Sequence, residues 1–174
     1  MSKHQALRDL QNRLAERLLS AHSDAAARAW LAVTAGAGRY LLPLHQSGEI
    51  FSLTSVTRVP YTASWFPGVV NLRGVLYGVV NLADFLGVRT EHSATPAGGP
   101  RLISVNPELA VNVALKVDGL AGLRRADAFA QMLPAPTGSG VHLGSQYLDS
   151  QGHTWQALDL QGLAQSADFL NIGV

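Results

Sequence analysis

The chain has 174 residues, and its 13 Lys and Arg side chains nearly balance 12 Asp and Glu, for a formal net charge of +1. This balance argues against nucleic acid as the ligand, because nucleic-acid-binding proteins carry a basic patch or stripe. The chain has no cysteine, which excludes disulfides, zinc–thiolate sites and thiol nucleophiles. Charged residues make up 14% of the chain, against about 25% in typical soluble proteins, so much of the surface must be neutral and suited to protein partners.

No stretch of the sequence has the properties of a membrane span or a signal peptide. The longest run without Asp, Glu, Lys or Arg, residues 128–148, is interrupted by Pro134, Pro136, Gly138 and Gly140. The amino terminus also lacks the continuous apolar core of a signal peptide. We therefore expect one compact cytoplasmic unit that does not insert into a membrane.

An amphipathic helix is predicted at the amino terminus. Leu7, Leu10, Leu14 and Leu18 recur at helical spacing with charged residues between them. Ser23 can cap a second short helix that runs through an alanine-rich stretch to residue 30. We predict a helical extension over residues 1–30 whose leucine stripe docks either on its own domain or on a partner protein.

After residue 30 the hydrophobic pattern becomes that of β-strands. Glycines at 36 and 38 allow the tight turn that would join two strands within residues 32–44. Further extended segments are predicted at residues 55–62, 75–80, 101–105, 111–117 and 153–160. Such spacing, with Gly, Pro and Asp between the segments, favours small β-barrels over a parallel sheet with crossover helices. Residues 89–100 and 133–140 are predicted loops, and we expect the first loop to separate two lobes.

A weak internal repeat supports two lobes of similar design. A shift of 78 positions aligns residues 74–85 with residues 152–163. In each copy a turn glycine precedes an apolar strand, a capping residue and a short helix. The capping residues are Asn81 in the first copy and Asp159 in the second. We also expect Gly87 to end the first short helix.

The sequence shows no arrangement of residues typical of catalysis or of cofactor binding. None of the six histidines stands three, four or five residues from another, so no helical metal-binding pair is present. Gly-rich phosphate loops and the G-x-S-x-G pattern are absent as well. We predict no enzyme activity, no metal and no cofactor. Two other classes stay open: a small enzyme that gathers His142, His153 and an acidic group from distant parts of the chain, and a single-strand-binding barrel, which the low charge disfavours.

Arg73 is unusual within the stretch GVVNLRG (68–74), because it is the only charged residue between Arg58 and Asp84. In one interpretation it is a turn residue whose guanidinium reaches solvent at the end of an apolar strand. In the other, its rigid and permanently charged guanidinium anchors a carboxylate or carbonyl groups of a partner protein. Composition alone does not decide between the two.

The residues around Arg73 belong to a longer array whose order and spacing are distinctive. The array consists of Tyr40–Leu44, Gly48–Ile50, Thr57–Pro60, Trp65, Gly68–Gly74, Val79–Leu82 and Phe85–Gly87. It resembles the CheW-like domain of bacterial chemosensory adaptors, and the likeness runs from residue 31 to the carboxyl terminus. The resemblance implies a mainly β domain over residues 31–174: two SH3-like, five-stranded β-barrel lobes around a shared core, split near residues 89–100.

The resemblance also implies a function and partners. Adaptors of this family are non-catalytic scaffolds that couple methyl-accepting chemoreceptors to the regulatory domain of a CheA-type histidine kinase. The amino-terminal extension and the final residues 162–174 are most similar to the adaptors of type IV pilus twitching-motility systems. A flagellar chemotaxis coupling protein is the alternative within the family.

Five residues match protein-binding positions of the family. Arg73 corresponds to the arginine at the receptor-facing groove, and Glu49 and Gly68 match positions implicated in partner contacts. Asn71 and Gly74 shape the turn that presents Arg73. The sequence departs from the family pattern where an apolar residue, a proline and an aspartate are usual; these positions are Ser47, Gly78 and Asn81.

Overall fold

A computed structural model of the chain describes residues 29–88, 98–136, 140 and 142–173. The predicted amphipathic helix with its leucine stripe lies outside these residues. The predicted end of the helical extension at residue 30 is wrong, because the first strand already includes Ala29 and Trp30. These two residues pair with Arg125 and Arg124 of a strand far along the chain, a contact that the local alanine-rich pattern does not reveal.

The described residues form a mainly β fold of two sheets, as predicted, with three short α-helices and three 3-10 turns. The strands are β1 (Ala29–Ala35), β2 (Gly38–Pro43), β3 (Ser47–Ser52), β4 (Gly68–Leu72), β5 (Val75–Asn81), β6 (Arg101–Val105), β7 (Val113–Val117), β8 (Gly119–Arg125), β9 (Phe129–Leu133), β10 (Leu143–Asp149) and β11 (Thr154–Leu158). The helices are α1 (Leu82–Phe85), α2 (Leu160–Gln165) and α3 (Ala167–Leu170).

The two sheets share one pattern of strand order. One sheet has six strands in the order β8-β1-β2-β11-β10-β9, and the other has five in the order β3-β6-β7-β5-β4. Neighbouring strands are antiparallel, except that β2 pairs with β11, and β5 with β7, in parallel. The six-stranded sheet has one strand more than predicted, because β9 adds to the outer side of β10.

The hydrophobic core has three parts. A shared core combines residues of both sheets, such as Val33, Leu42 and Leu115. Alternate residues on the same strands face the interior of their own lobe, as Trp155 does in the six-stranded sheet and Leu102 in the five-stranded sheet. Burial on both faces explains why the central strands are almost continuously apolar. Each fully buried leucine stabilises the fold by roughly 1.5–3 kcal/mol.

The lobes do not divide the chain near residues 89–100, and this prediction is corrected by the sheet topology. β5 precedes that segment, β6 and β7 follow it, and all three belong to the five-stranded sheet. The middle of the chain, β3 to β7, builds the five-stranded sheet, and β1, β2 and β8 to β11 build the other. A Gly- and Pro-rich composition marks a connection, but it does not indicate which sheet the next strand joins.

The extended segment predicted at residues 55–62 is not a strand. Thr57 forms a single antiparallel bridge with Val69, and Thr62 forms one with Gly173. Pro60 cannot donate a backbone hydrogen bond, and Tyr61 has a φ of 59°, which breaks an extended course. The segment is therefore a loop that is held against the lobes at two points.

The internal repeat is present in the structure, with one difference in capping. β5 leads into α1 and β11 leads into α2. The Asp159 side chain caps α2 by accepting a hydrogen bond from the Gln161 N–H, at 3.1 Å. Asn81 makes no such cap, contrary to prediction, because its side-chain amide donates to the Asp84 carboxylate at 2.6 Å. Gly87 ends α1 with a φ of 65°, as predicted.

Candidate protein-binding site

A two-residue turn joins β4 to β5 and carries Arg73 at its tip. Leu72 lies opposite Val75, and the two turn residues, Arg73 and Gly74, have φ values of 52° and 87°. Positive φ at both positions is the signature of a type I′ turn, which prefers Asn-Gly, Asp-Gly or Gly-Gly. The Asn71 side chain supports the turn, because its oxygen accepts a hydrogen bond from the Gly74 N–H at 2.8 Å. The turn thus holds an arginine where local preference favours asparagine or glycine.

Arg73 is paired with Glu49, so the structure brings together two residues that the sequence analysis singled out. Arg73 Nη1 lies 2.7 Å from Glu49 Oε2, and the Arg73 guanidinium lies over the Phe51 ring at 5.7 Å from its centroid. Glu49 and Phe51 belong to β3, which forms one edge of the five-stranded sheet, whereas β4 forms the other edge. Arg73 therefore joins the two edges of the sheet through its side chain and helps to close the lobe.

The ion pair is open to solvent. The side chains of Arg73 and Glu49 are 75% and 58% exposed, and exposed pairs contribute only about 0.2–1 kcal/mol to stability. A guanidinium carries five N–H donors, so Arg73 can bind a second acceptor while it keeps its contact with Glu49. The geometry is that of an accessible cation that is oriented by a neighbouring carboxylate.

Exposed apolar residues lie next to the charged pair along the same strands. Ile50 on β3 and Val75 and Leu76 on β5 are exposed, and Leu76 most of all at 59%. A central arginine among apolar residues is the composition of a protein-binding hot spot. Sequence analysis did not predict these apolar residues or Phe51 as part of the binding site. The signal that could have indicated them is the segment SGEIFS (47–52), where apolar residues at 50 and 51 follow Glu49 directly.

Gly68 lies apart from this group, at the start of β4, and is buried. Its φ is 142° and a Cβ atom at this position would lie 2.0 Å from the carbonyl oxygen of Thr57. Thr57 and Val69 exchange two backbone hydrogen bonds at 2.8 and 2.9 Å. Gly68 therefore allows the 53–67 loop to approach β4.

The two histidines of the enzyme alternative have different surroundings. His142 packs against the Phe85 ring with centroids 5.6 Å apart, and burial lowers its pKa, although the charge of Asp168 opposes this. His153 Nδ1 lies 3.3 Å from Asp149 Oδ2 in the β10–β11 turn. Within the described part of the chain, no group of three or more His, Asp and Glu residues is placed to hold a metal ion. A cleft of about 310 Å³ in the 58–67 loop is lined by neither histidine nor carboxylate.

A solved structure has the same fold as this chain. The crystal structure of the scaffolding protein TtCheW from Thermoanaerobacter tengcongensis matches with a TM-score of 0.65. The match covers 82% of this chain and 95% of that chain at 18% identity, so it concerns the fold. The two sheets are therefore arranged as in that scaffolding protein.

None of the helices in the described ranges is long and apolar enough to cross a membrane.

The sequence comparisons identify the family. The model of the CheW-like domain matches residues 29–168. Protein PilI from Pseudomonas aeruginosa is 30% identical over 140 residues, which cover 79% of this chain and 76% of that protein. The chain belongs to the CheW-like family and is a scaffold or adaptor of chemosensory signalling, and the resemblance noted in the sequence is confirmed.

Proposed function

We propose that the chain is a non-catalytic cytoplasmic adaptor that couples methyl-accepting chemoreceptors to a CheA-type histidine kinase in a pathway that controls type IV pilus twitching motility. Membership of the CheW-like family supports the coupling role. The likeness to Protein PilI supports the narrower assignment to the pilus system. The low share of charged residues, which leaves neutral surface for protein partners, is consistent with a scaffold.

The exposed ion pair between Arg73, at the tip of the β4–β5 hairpin, and Glu49 of β3 is the observation that carries this proposal. In it, Arg73 binds carboxylate or carbonyl groups at the hairpin tip of the receptor, and the exposed residues Val75 and Leu76 supply the apolar contact area. Asn71 and Gly74 hold the turn that presents the guanidinium. Gly68 contributes only by placing the 53–67 loop.

The kinase regulatory domain is proposed to use a separate surface. The outer strands of the six-stranded sheet, β8 and β9, have one neighbouring strand each in the described sheet. An edge of this kind presents backbone N–H and C=O groups that another β-lobe can pair with. Binding there would leave the hairpin of Arg73 free for the receptor.

The substitution Arg73→Asn tests the receptor site. It removes the guanidinium but creates the Asn-Gly pair that a type I′ turn prefers, so the turn itself should not suffer. We expect binding to a purified receptor hairpin-tip fragment to weaken by about 30-fold, the equivalent of about 2 kcal/mol for a hot-spot arginine. Calorimetric titration measures the affinity, and the melting temperature should stay level or rise slightly.

The matched control is Arg125→Asn, which removes an exposed arginine from β8 in the other lobe. It should leave receptor binding unchanged. Binding of the kinase regulatory domain should be the same for the parent chain and Arg73→Asn, since the two partners are proposed to use different surfaces. An Arg73→Asn variant that binds the receptor fragment as tightly as the parent chain would show that Arg73 is a turn residue and not an anchor.

A further inference from the structure

β3 contains a bulge at the position of Glu49. Ser47 pairs with Val105 and Ile50 pairs with Ile103, so Gly48 and Glu49 together oppose the single residue Ser104. A bulge of this kind adds one residue to a strand, bends it and re-aims its side chains. The carboxylate that meets Arg73 thus comes from the irregular part of the strand.

Ser104 is the residue that holds this bulge. Of the polar and charged residues that the structure describes, it alone is buried, with 4% of its surface exposed. Its partner on β7 is Ala114, a member of the apolar cluster inside the five-stranded lobe. A hydroxyl placed on that side of the sheet costs free energy unless it is hydrogen-bonded.

Both hydrogen bonds of the Ser104 hydroxyl are made with the backbone of Glu49. The oxygen accepts from the Glu49 N–H at 2.8 Å, and the hydroxyl donates to the Glu49 carbonyl at 3.3 Å. The hydroxyl thus replaces the strand pairing that the bulge interrupts. It holds the one residue of β3 that forms an ion pair with Arg73.

Gly48 makes room for this arrangement. A Cβ atom at position 48 would lie 2.4 Å from Ser104 Oγ and 3.1 Å from the Ser104 carbonyl oxygen. A side chain at that position would therefore push the hydroxyl away from Glu49. The geometry requires glycine at 48 and a hydroxyl at 104 together.

We infer that Ser104 is a positioning residue for the docking site: its buried hydroxyl holds the Glu49 backbone, and Glu49 in turn orients the Arg73 guanidinium. Without the hydroxyl, the Glu49 backbone loses two partners and the strand can shift its register, and a shift of one residue turns side chains to the opposite face. The role of Ser104 in docking rests on the proposed function of Arg73. The hydrogen bonds between Ser104 and the Glu49 backbone do not depend on that function.

The test uses NMR on the full chain without any partner, comparing the parent with Ser104→Ala. Hydrogen exchange of the Glu49 amide should become about tenfold faster, as expected for the loss of one hydrogen bond of roughly 1.4 kcal/mol. The Nε–Hε signal of Arg73 should move to the position that it takes in Glu49→Gln, because the ion pair is lost in both. Ser52→Ala, which removes an exposed hydroxyl from the same strand, should change neither signal.

A second variant, Gly48→Ala, keeps the serine but displaces its hydroxyl, and it should give the same two changes. Slow exchange of the amides in the central strand β7 verifies that each variant is folded. An Arg73 signal that keeps its parent position in folded Ser104→Ala and Gly48→Ala would overturn the inference. Because no receptor is present, this result is independent of whether Arg73 binds one.

Discussion

The hairpins β4–β5 and β10–β11 occupy corresponding places in the two copies of the internal repeat, yet they use their polar groups in opposite ways. In the second hairpin, Asp149 accepts hydrogen bonds from the backbone N–H groups of Gln151 and His153 and from the indole of Trp155, each at 2.9 Å. At the tip of the first hairpin, Arg73 forms an exposed ion pair with Glu49 of β3. One turn satisfies its polar groups internally, whereas the other presents them to solvent.

The difference shows how one local architecture can satisfy its polar groups internally in one lobe and expose them in the other, where we propose docking. Both hairpins add their second strand in parallel to a neighbour, β5 to β7 and β11 to β2. Both place a glycine of positive φ in the turn, Gly74 and Gly152. The two hairpins thus share their backbone geometry, and they differ in the side chains that surround the turn.

The largest effect is expected at the base of the first hairpin, from Gly68→Ala. The new methyl group would meet the Thr57 carbonyl, and the backbone conformation disfavours any side chain. Strain and overpacking together should lower the free energy of unfolding by about 3 kcal/mol, measured by urea denaturation. Gly74→Ala is the control, since nothing lies within 4 Å of its added Cβ, and it should cost only about 1 kcal/mol of backbone strain. Unchanged stability with lost receptor binding would instead make Gly68 a contact residue.

The second-largest effect is expected in the β10–β11 hairpin, whose contribution to stability should depend on pH through Asp149. The hydrogen bond from the Trp155 indole, followed by those from the His153 and Gln151 backbone, holds the pKa of Asp149 well below its usual range. Since the folded-state pKa is lowered, the stabilisation is present above the ordinary Asp pKa of about 4 and is lost as pH falls toward the folded value. Asp149→Asn should therefore be less stable than the parent at neutral pH.

The stability difference between the parent and Asp149→Asn should shrink steadily as the pH falls from 5 to 2. Melting curves followed by circular dichroism at several pH values measure it. A difference that stays constant over this range would mean that the Asp149 carboxylate gains nothing from its charge. In that case the contrast between the two hairpins would not be electrostatic.

The smallest effect on stability is expected from charge reversal at the tip of the first hairpin. Arg73→Glu places a carboxylate beside Glu49, but the pair is exposed and worth at most about 1 kcal/mol. The melting temperature should fall by no more than about 2–4 °C, and the swap Arg73→Glu with Glu49→Arg should recover the loss. Calorimetry measures both changes. A much larger loss would mean that Arg73 serves mainly the stability of the lobe and not docking.

Local patterns in the sequence predicted several elements well and others not at all. The turn between β1 and β2 and the strands β5, β6, β7 and β11 follow from glycine placement and continuous apolar runs, which reflect burial on both faces. The strands β3, β8, β9 and β10 were missed. Three of them, β3, β8 and β9, lie at sheet edges, and β9 has three exposed residues out of five. β10 lies between two strands, but none of its residues is buried, so its alternation is weak. Such strands form because a partner strand is available, and the local sequence pattern does not indicate which strand that is.

The sequence by itself determined the mainly β class, the turn at Gly74 and the isolation of Arg73 among apolar neighbours, since turn residues and burial patterns depend on adjacent positions. Only the tertiary structure decided which sheet each strand joins, that Glu49 is the partner of Arg73, and that Gly68 is buried against Thr57. The physical reason is that strand pairing, ion pairs and close backbone contacts join residues that are distant along the chain. Their free energy depends on the whole fold.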